Sequence, residues 1–121
     1  MKRYIYLISP QKIGGVEFYR ELNKVLKTNK IKYFQLRLKK ISNLNLLKIS
    51  KKVKKITKKN NVKLIINDNP IVAKKVGAEG CHVGQKDINI IPGLISFPSI
   101  FIVYLNFFIA ETGSNFLLFQ T

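Results

Sequence analysis

The feature that most constrains this chain is a regular alternation of short apolar runs with segments whose apolar residues recur at helical spacing. Tyr4 to Ile8 and Ile31 to Leu38 are rich in aliphatic and aromatic residues, as is typical of strands. Between them, Val16 to Thr28 has the spacing of an amphipathic helix. This alternation predicts a parallel sheet with right-handed crossovers. It does not distinguish an open doubly wound sheet from a barrel, although the absence of a Gly-x-Gly-x-x-Gly motif disfavours a dinucleotide-binding fold.

A second, longer helix is predicted from Asn43 to Lys59, with Ser42 or Asn43 as its N-cap. Asn60-Asn61 ends the helix, and a third strand starts at Val62. The predicted apolar stripe consists of Leu46, Ile49, Val53 and Ile56. Lysines cover the other faces, which is typical of an outer helix facing water: Lys48, Lys51, Lys52, Lys55, Lys58 and Lys59.

The stretch from Leu64 to Asp87 repeats the pattern of a strand followed by polar residues. Leu64 to Ile66 leads into Asn67-Asp68-Asn69, and a helix from Pro70 is predicted to stop at Gly77. A fourth strand then leads into the polar end of Gly80 to Asp87. Polar clusters at the carboxyl ends of neighbouring parallel strands are where such proteins build active sites.

Asp68 and Asp87 end two successive strands of this unit. Two carboxylates at adjacent strand ends can share one divalent cation. A hard cation such as Mg²⁺, held by one or two carboxylates, keeps open positions that bind phosphate oxygens. The sequence therefore predicts a magnesium site at Asp68 and Asp87.

Gln35, Arg37 and Lys39 alternate along the second predicted strand, so period-2 geometry points all three to one side. Leu36 and Leu38 point to the other side. Arg offers a bidentate fork for phosphate oxygens and Lys a point charge. The residues alone leave two interpretations open, an amphipathic strand with one wet face and an anion-binding strand end.

The formal net charge of +16 raises nucleic acid or an anionic membrane as a partner. The basic residues are mostly lysines spread along the chain, and the lysine-rich helix lacks the interleaved aromatics that single-strand binders use. We therefore expect neither nucleic acid nor membrane as a partner. The single cysteine, Cys81, excludes an intrachain disulfide and is expected in the core. The apolar run near the N-terminus is too brief for a signal peptide, so we expect a cytoplasmic protein.

The composition changes abruptly after about Ile90. All 22 Lys and Arg residues and four of the six acidic residues lie in the first 86 positions. Three interpretations of the hydrophobic tail, residues 91–121, are a divergent fifth strand from Ser99 to Leu105, a membrane segment, and a truncated or frame-shifted end. The apolar run from Ile100 to Ala110 is too short to span a bilayer. The complete loss of basic residues favours the truncated or frame-shifted end.

Four short motifs in this order resemble those of the thiamine-phosphate synthase family, whose members are (β/α) barrels. They are Tyr6-Leu7-Ile8-Ser9-Pro10, Gln35-Leu36-Arg37-Leu38-Lys39, Asn67-Asp68 and His82-x-Gly84-Gln85-x-Asp87. The resemblance implies a partial TIM-type barrel of about four to five parallel strands. Residues 1–90 would be the N-terminal half of a (β/α)8 barrel.

The resemblance also implies a transferase that joins hydroxymethylpyrimidine diphosphate to a thiazole phosphate and releases pyrophosphate. Residues matching the family's pyrimidine-diphosphate site are Gln35, Arg37, Lys39 and Asn67, and those matching its Mg²⁺ ligands are Asp68 and Asp87. No role follows for His82 or Gln85. The alternatives are a related barrel that isomerises a thiazole phosphate and a basic nucleic-acid-binding module. Because the family's later phosphate motifs are not found after Ile90, we expect the chain alone to be inactive and to self-associate through exposed edges.

Overall fold

The computed structural model describes residues 3–82, 101–103 and 115–118. Strands and helices alternate from the N-terminus through the fourth strand, as the sequence predicts. The elements are β1 (Arg3–Ile8), α1 (Gly15–Leu26), β2 (Ile31–Leu36), α2 (Asn43–Lys59), β3 (Lys63–Asn67), α3 (Pro70–Val76), β4 (Gly80–His82), β5 (Phe101–Val103) and β6 (Asn115–Leu118).

The described strands form one parallel six-stranded sheet in the order β5-β4-β3-β2-β1-β6. Strands β1 to β5 are neighbours in chain order, which is the arrangement of successive strands in a (β/α) barrel. Strand β5 falls inside the segment Ser99 to Leu105, which one interpretation of the tail assigns to a fifth strand. Strand β6, beside β1, is not anticipated by the sequence analysis.

Local capping residues set the helix boundaries. The Ser42 side chain accepts a hydrogen bond from the Asn45 backbone N–H at 3.2 Å, so α2 starts where the sequence places it. Pro70 occupies the first turn of α3, and Gly77 ends that helix in the left-handed conformation at φ 70°. The second strand is shorter than predicted: it stops at Leu36, two residues before Leu38.

The two faces of the sheet differ in chemistry. Leu36, Leu64 and Ile66 are fully buried on the face that packs against the helices. Residues at alternate positions face the other way, and these include four buried side chains that carry polar groups: Tyr6, Gln35, Asn67 and His82. A buried polar layer on the face that the described helices leave uncovered is costly unless its groups are hydrogen-bonded, so that face is a candidate for binding.

Helix α2 buries a stripe slightly displaced from the predicted one. Ile49 and Ile56 are only partly buried, whereas Ser50 and Thr57 join Leu46 and Val53 in full burial. The six lysines assigned to the outer faces of the helix are all exposed, as expected. Among the described residues, no helix is both long and apolar enough to cross a membrane.

Glu79 connects α2 to β3 at the end of the sheet opposite the polar strand ends. Its carboxylate accepts a hydrogen bond from Lys54 Nζ and another from the Leu64 backbone N–H at 2.6 Å. The Lys54 side chain is only 19% exposed, so the pair is shielded from solvent far better than the surface ion pairs of α1. The carboxylate therefore stabilises both a partly buried cation and a strand amide.

Replacing Glu79 with alanine is expected to lower the free energy of unfolding by about 2 kcal/mol, the scale of a hydrogen bond to a charged group. Denaturant unfolding followed by circular dichroism measures the change. Glu21→Ala is the matched control, because Glu21 pairs with Lys24 where both side chains are more than half exposed. That variant should differ from the parent by less than about 0.5 kcal/mol. Equal losses in both variants would contradict the role given to Glu79.

Candidate functional site at the carboxyl ends of the strands

The polar residues singled out in the sequence follow the carboxyl ends of adjacent parallel strands. Ser9 comes directly after β1, Arg37 directly after β2 and Asp68 directly after β3. Strands β1, β2 and β3 are consecutive neighbours in the sheet. Three side chains from distant parts of the sequence therefore lie at one edge of the sheet.

The turn from β3 into α3 is built by the sequence Asn67-Asp68-Asn69-Pro70. Asp68 has φ 57°, a left-handed conformation that Asp and Asn tolerate better than most residues. The Asn69 side chain caps α3 by accepting from the Val72 N–H at 3.0 Å. The Asp68 carboxylate thus stands on a short turn fixed on both sides, and its side chain is 48% exposed.

A hydrogen-bonded network joins Asp68 to three of its neighbours. Asn67 Nδ2 donates to Asp68 Oδ2 at 3.0 Å, and Lys39 Nζ lies 3.5 Å from the same oxygen. On the other side of Asn67, its Oδ1 is 2.9 Å from His82 Nδ1. The structure therefore brings together Lys39, Asn67 and Asp68, which the sequence places in one site, and adds His82.

Arg37 leaves the sheet ladder and turns towards β1. Its backbone N–H donates to Ser9 Oγ at 2.8 Å, and the Lys39 N–H donates to the Gln11 carbonyl at 3.1 Å. The Arg37 Nε is buried and has no hydrogen-bond partner among the described residues. Buried guanidinium donors are normally satisfied, so this atom marks a place where an anionic acceptor would be favoured.

Gln35 lies deeper than the other predicted ligands. It is 3% exposed, and its Nε2 donates to the Tyr6 hydroxyl at 3.3 Å. The Tyr6 ring stacks on Tyr33 with ring centroids 5.9 Å apart. Gln35 therefore lies within β2, in the buried layer below the strand ends, whereas Arg37 and Lys39 follow the end of the strand.

Burial controls the ionisation of two residues on β4. Desolvation lowers the pKa of His82; the Asp68 carboxylate opposes this shift, while Arg37 and Lys39 add to it. The balance favours the neutral imidazole. Burial raises the pKa of the Cys81 thiol to about 12, so this cysteine is not a thiolate nucleophile and behaves as a core residue, as the sequence predicts.

The remaining predicted ligand cannot be compared with these positions. Asp87, the second magnesium ligand expected from the sequence, lies outside the described residues, as does Gln85. Within the described ranges, no three His, Cys, Asp or Glu side chains form a cluster that could hold a metal ion. Asp68 is therefore the predicted magnesium ligand whose position is known.

Ser9 and His82 have no role in the sequence-based prediction of the site. Ser9 follows β1 and Arg37 follows β2. Because β1 and β2 pair in parallel, the two residues lie at the same end of the sheet. His82 is aligned with Asn67 in the β3–β4 register. In the sequence, His82 stands in the family-like motif that follows Asn67-Asp68 along the chain. Its contact with Asn67 depends on the register of the two strands.

The chain matches the family model described as thiamine monophosphate synthase over residues 5–92. Thiamine-phosphate synthase of Pelagibacter ubique is 57% identical to it over 90 residues, which are 74% of this chain and 44% of that protein. Thiamine-phosphate synthase of Clostridium tetani is 41% identical over 92 residues, with 72% of this chain and 44% of that protein covered. The chain spans about half the length of the curated relatives it matches.

A solved structure, thiamine phosphate pyrophosphorylase from Pyrococcus furiosus, superimposes with a TM-score of 0.67 at 19% identity. The match covers 84% of this chain and 48% of the other. At this identity the likeness concerns the fold alone, and it confirms the predicted partial TIM-type (β/α) barrel. The family match spans most of the chain and includes the strand ends described above, so the chain belongs to the thiamine monophosphate synthase family.

Proposed function

We propose that this chain binds the pyrimidine diphosphate substrate of thiamine-phosphate synthesis, with Mg²⁺, at the carboxyl ends of β2 and β3. Family membership supports the substrate class. The geometry supports the location, because Lys39 and Asn67 both contact Asp68, and Arg37 follows the neighbouring strand at the same edge of the sheet.

The observation that carries the proposal is the buried Arg37 Nε without a partner among the described residues. A diphosphate offers several anionic oxygens, and an arginine fork binds two of them at once. The ion pair of Lys39 with Asp68 is weak, because its Nζ and Oδ2 are 3.5 Å apart and both side chains are more than 40% exposed. Exposed pairs of this kind contribute little stability, so Lys39 can turn to a phosphate oxygen at small cost.

The contacts of Asp68 leave one carboxylate oxygen for a hard cation. Asn67 and Lys39 both approach Oδ2, which leaves Oδ1 as a free acceptor among the described contacts. A cation that keeps several waters and binds through one or two carboxylates plus substrate phosphates is typical of Mg²⁺. We therefore propose Asp68 as a Mg²⁺ ligand, together with Asp87 from the sequence motif.

In the proposed reaction, the bond between the pyrimidine methylene carbon and the diphosphate oxygen breaks, and its electron pair leaves with pyrophosphate. The thiazole nitrogen then uses its lone pair to form the new carbon–nitrogen bond. When bound, Mg²⁺ neutralises charge on the diphosphate. Arg37 and Lys39 stabilise the additional negative charge that develops on the leaving group, and Gln35 and Asn67 orient the substrate. No protein nucleophile is required.

The proposal for this chain is restricted to the diphosphate half of the reaction. The sequence after Ile90 lacks the later phosphate motifs that the family resemblance implies for the thiazole phosphate. A cytoplasmic location and self-association through edge strands stay predictions from the sequence.

Isothermal titration of the 121-residue chain with inorganic pyrophosphate, with and without Mg²⁺, tests the proposal. We expect saturable binding that is much tighter with Mg²⁺ than without it. Nucleic acid of arbitrary sequence is the comparison ligand, since the exposed lysines of α2 would bind it through counterion release. Strong, salt-sensitive binding of nucleic acid without Mg²⁺-dependent pyrophosphate binding would favour the basic-module alternative.

A further inference from the structure

We propose that His82 is a positioning residue that holds the carbonyl end of Asn67, so that the Asn67 amide nitrogen is presented to an anionic ligand. This inference rests on the proposed function for the identity of the ligand. It is carried by the hydrogen-bond chain through His82, Asn67 and Asp68, in which each member restricts the next.

The direction of the chain follows from the acceptor at its end. An ionised carboxylate can only accept, so the Asn67 atom 3.0 Å from Asp68 Oδ2 is the amide nitrogen. The carbonyl oxygen of Asn67 then faces His82 Nδ1 at 2.9 Å. Because a carbonyl oxygen cannot donate, Nδ1 must carry the proton. Both ends of the Asn67 amide are thereby assigned.

The arrangement leaves Asn67 with a second N–H for which no partner is found among the described contacts. A diphosphate oxygen needs a donor at this position. A flipped amide would place two acceptor oxygens together at Asp68, and His82 could accept from the amide nitrogen only after its proton moved from Nδ1 to Nε2. Asp68 therefore opposes the flip, and the bond from His82 Nδ1 holds the carbonyl end of the amide, so that Asn67 is kept as a donor before the ligand arrives.

The backbone holds His82 in place for this task. Asn67 and His82 are register partners in the β3–β4 ladder, and the Asp68 N–H donates to the His82 carbonyl at 2.7 Å. His82 is also 4% exposed, so water competes little for its ring. The contact does not depend on the charge of the imidazole, since Nδ1 donates in the Nδ1–H neutral tautomer and in the protonated ring alike.

The first test is the tautomer of His82, which is the single histidine of the chain and therefore gives one set of ring signals. Long-range ¹H–¹⁵N spectra of histidine-labelled protein near pH 8, without ligand, distinguish a proton on Nδ1 from one on Nε2. We expect the Nδ1–H form, whereas neutral imidazole free in water favours Nε2–H. Asn67→Ala removes the acceptor and should return the ring towards the Nε2–H form. An Nε2–H ring in the parent chain would overturn the inference.

The second test compares variants of His82 by titration with inorganic pyrophosphate and Mg²⁺. His82→Ala should weaken binding about tenfold, the scale of one lost hydrogen bond that orients a ligand group. His82→Asn should recover most of the affinity, because its Nδ2 can take the place of the imidazole Nδ1. His82→Gln, whose nitrogen lies nearer the Nε2 position, should recover less. Equal affinity of His82→Ala and the parent chain would overturn the inference.

Two controls distinguish the loss of this hydrogen bond from a loss of folding. Thermal unfolding of each variant shows whether it is folded, and His82→Asn keeps the comparison valid if the alanine variant is not. The tautomer is measured without ligand, so it decides the role of His82 independently. An Nδ1–H ring in a chain that does not bind pyrophosphate would refute the proposed function while supporting the hydrogen-bond chain.

Discussion

Replacing Arg37 with alanine is expected to weaken Mg²⁺-dependent pyrophosphate binding about 100-fold. A hydrogen bond to a charged group contributes about 1.5–3 kcal/mol, and each ~1.4 kcal/mol corresponds to a factor of ten in affinity. The buried Nε of Arg37 has no partner among the described residues, so a ligand bond to it would replace no existing protein contact. Calorimetric titration of the variant with pyrophosphate at constant Mg²⁺ measures the change.

Two further substitutions separate geometry from charge in this experiment. Arg37→Lys keeps the positive charge but loses the planar fork, so we expect its affinity to lie between those of the parent and the alanine variant. Lys48→Ala removes the same charge from an exposed position on α2 and should leave binding nearly unchanged. If Lys48→Ala weakens binding as much as Arg37→Ala, the effect comes from net charge and not from a specific site.

The parts of this fold that the sequence predicts well are those determined by neighbouring residues. Ser42 begins α2, Pro70 lies in the first turn of α3 and Gly77 ends it, because capping and turn preferences act within a few positions. The alternation of Leu36 against Gln35 likewise follows from strand geometry alone. Such features require no knowledge of the rest of the chain.

The parts that the sequence did not predict depend on contacts between distant segments. Strand β2 ends at Leu36 because the following amide, that of Arg37, donates to Ser9, 28 residues away. The bond between His82 and Asn67 likewise requires the β3–β4 register. Pattern and resemblance therefore predicted a candidate site, whereas the contacts of Ser9 and His82 needed the three-dimensional arrangement.

Asp68→Asn is expected to weaken Mg²⁺-dependent pyrophosphate binding by at least about 100-fold, since changes to groups that merely support a metal ligand already cost about 10–100-fold. The substitution removes the charge and keeps the shape. It also suits the backbone, because Asn tolerates the left-handed conformation that Asp68 adopts at φ 57°. Alanine at this position would add backbone strain, which would make a loss of binding harder to interpret.

The asparagine variant should also keep most of the local structure. Its side-chain oxygen can still accept from Asn67 Nδ2, and the ion pair that it loses with Lys39 is half exposed and contributes little stability. Unfolding curves of the two proteins should therefore nearly coincide, while titrations with Mg²⁺ and pyrophosphate diverge. Because Lys39 is released from Asp68, weak binding of pyrophosphate without Mg²⁺ should persist or increase slightly. Unchanged Mg²⁺ dependence in a folded Asp68→Asn protein would rule out Asp68 as the ligand and would leave the cation to other residues.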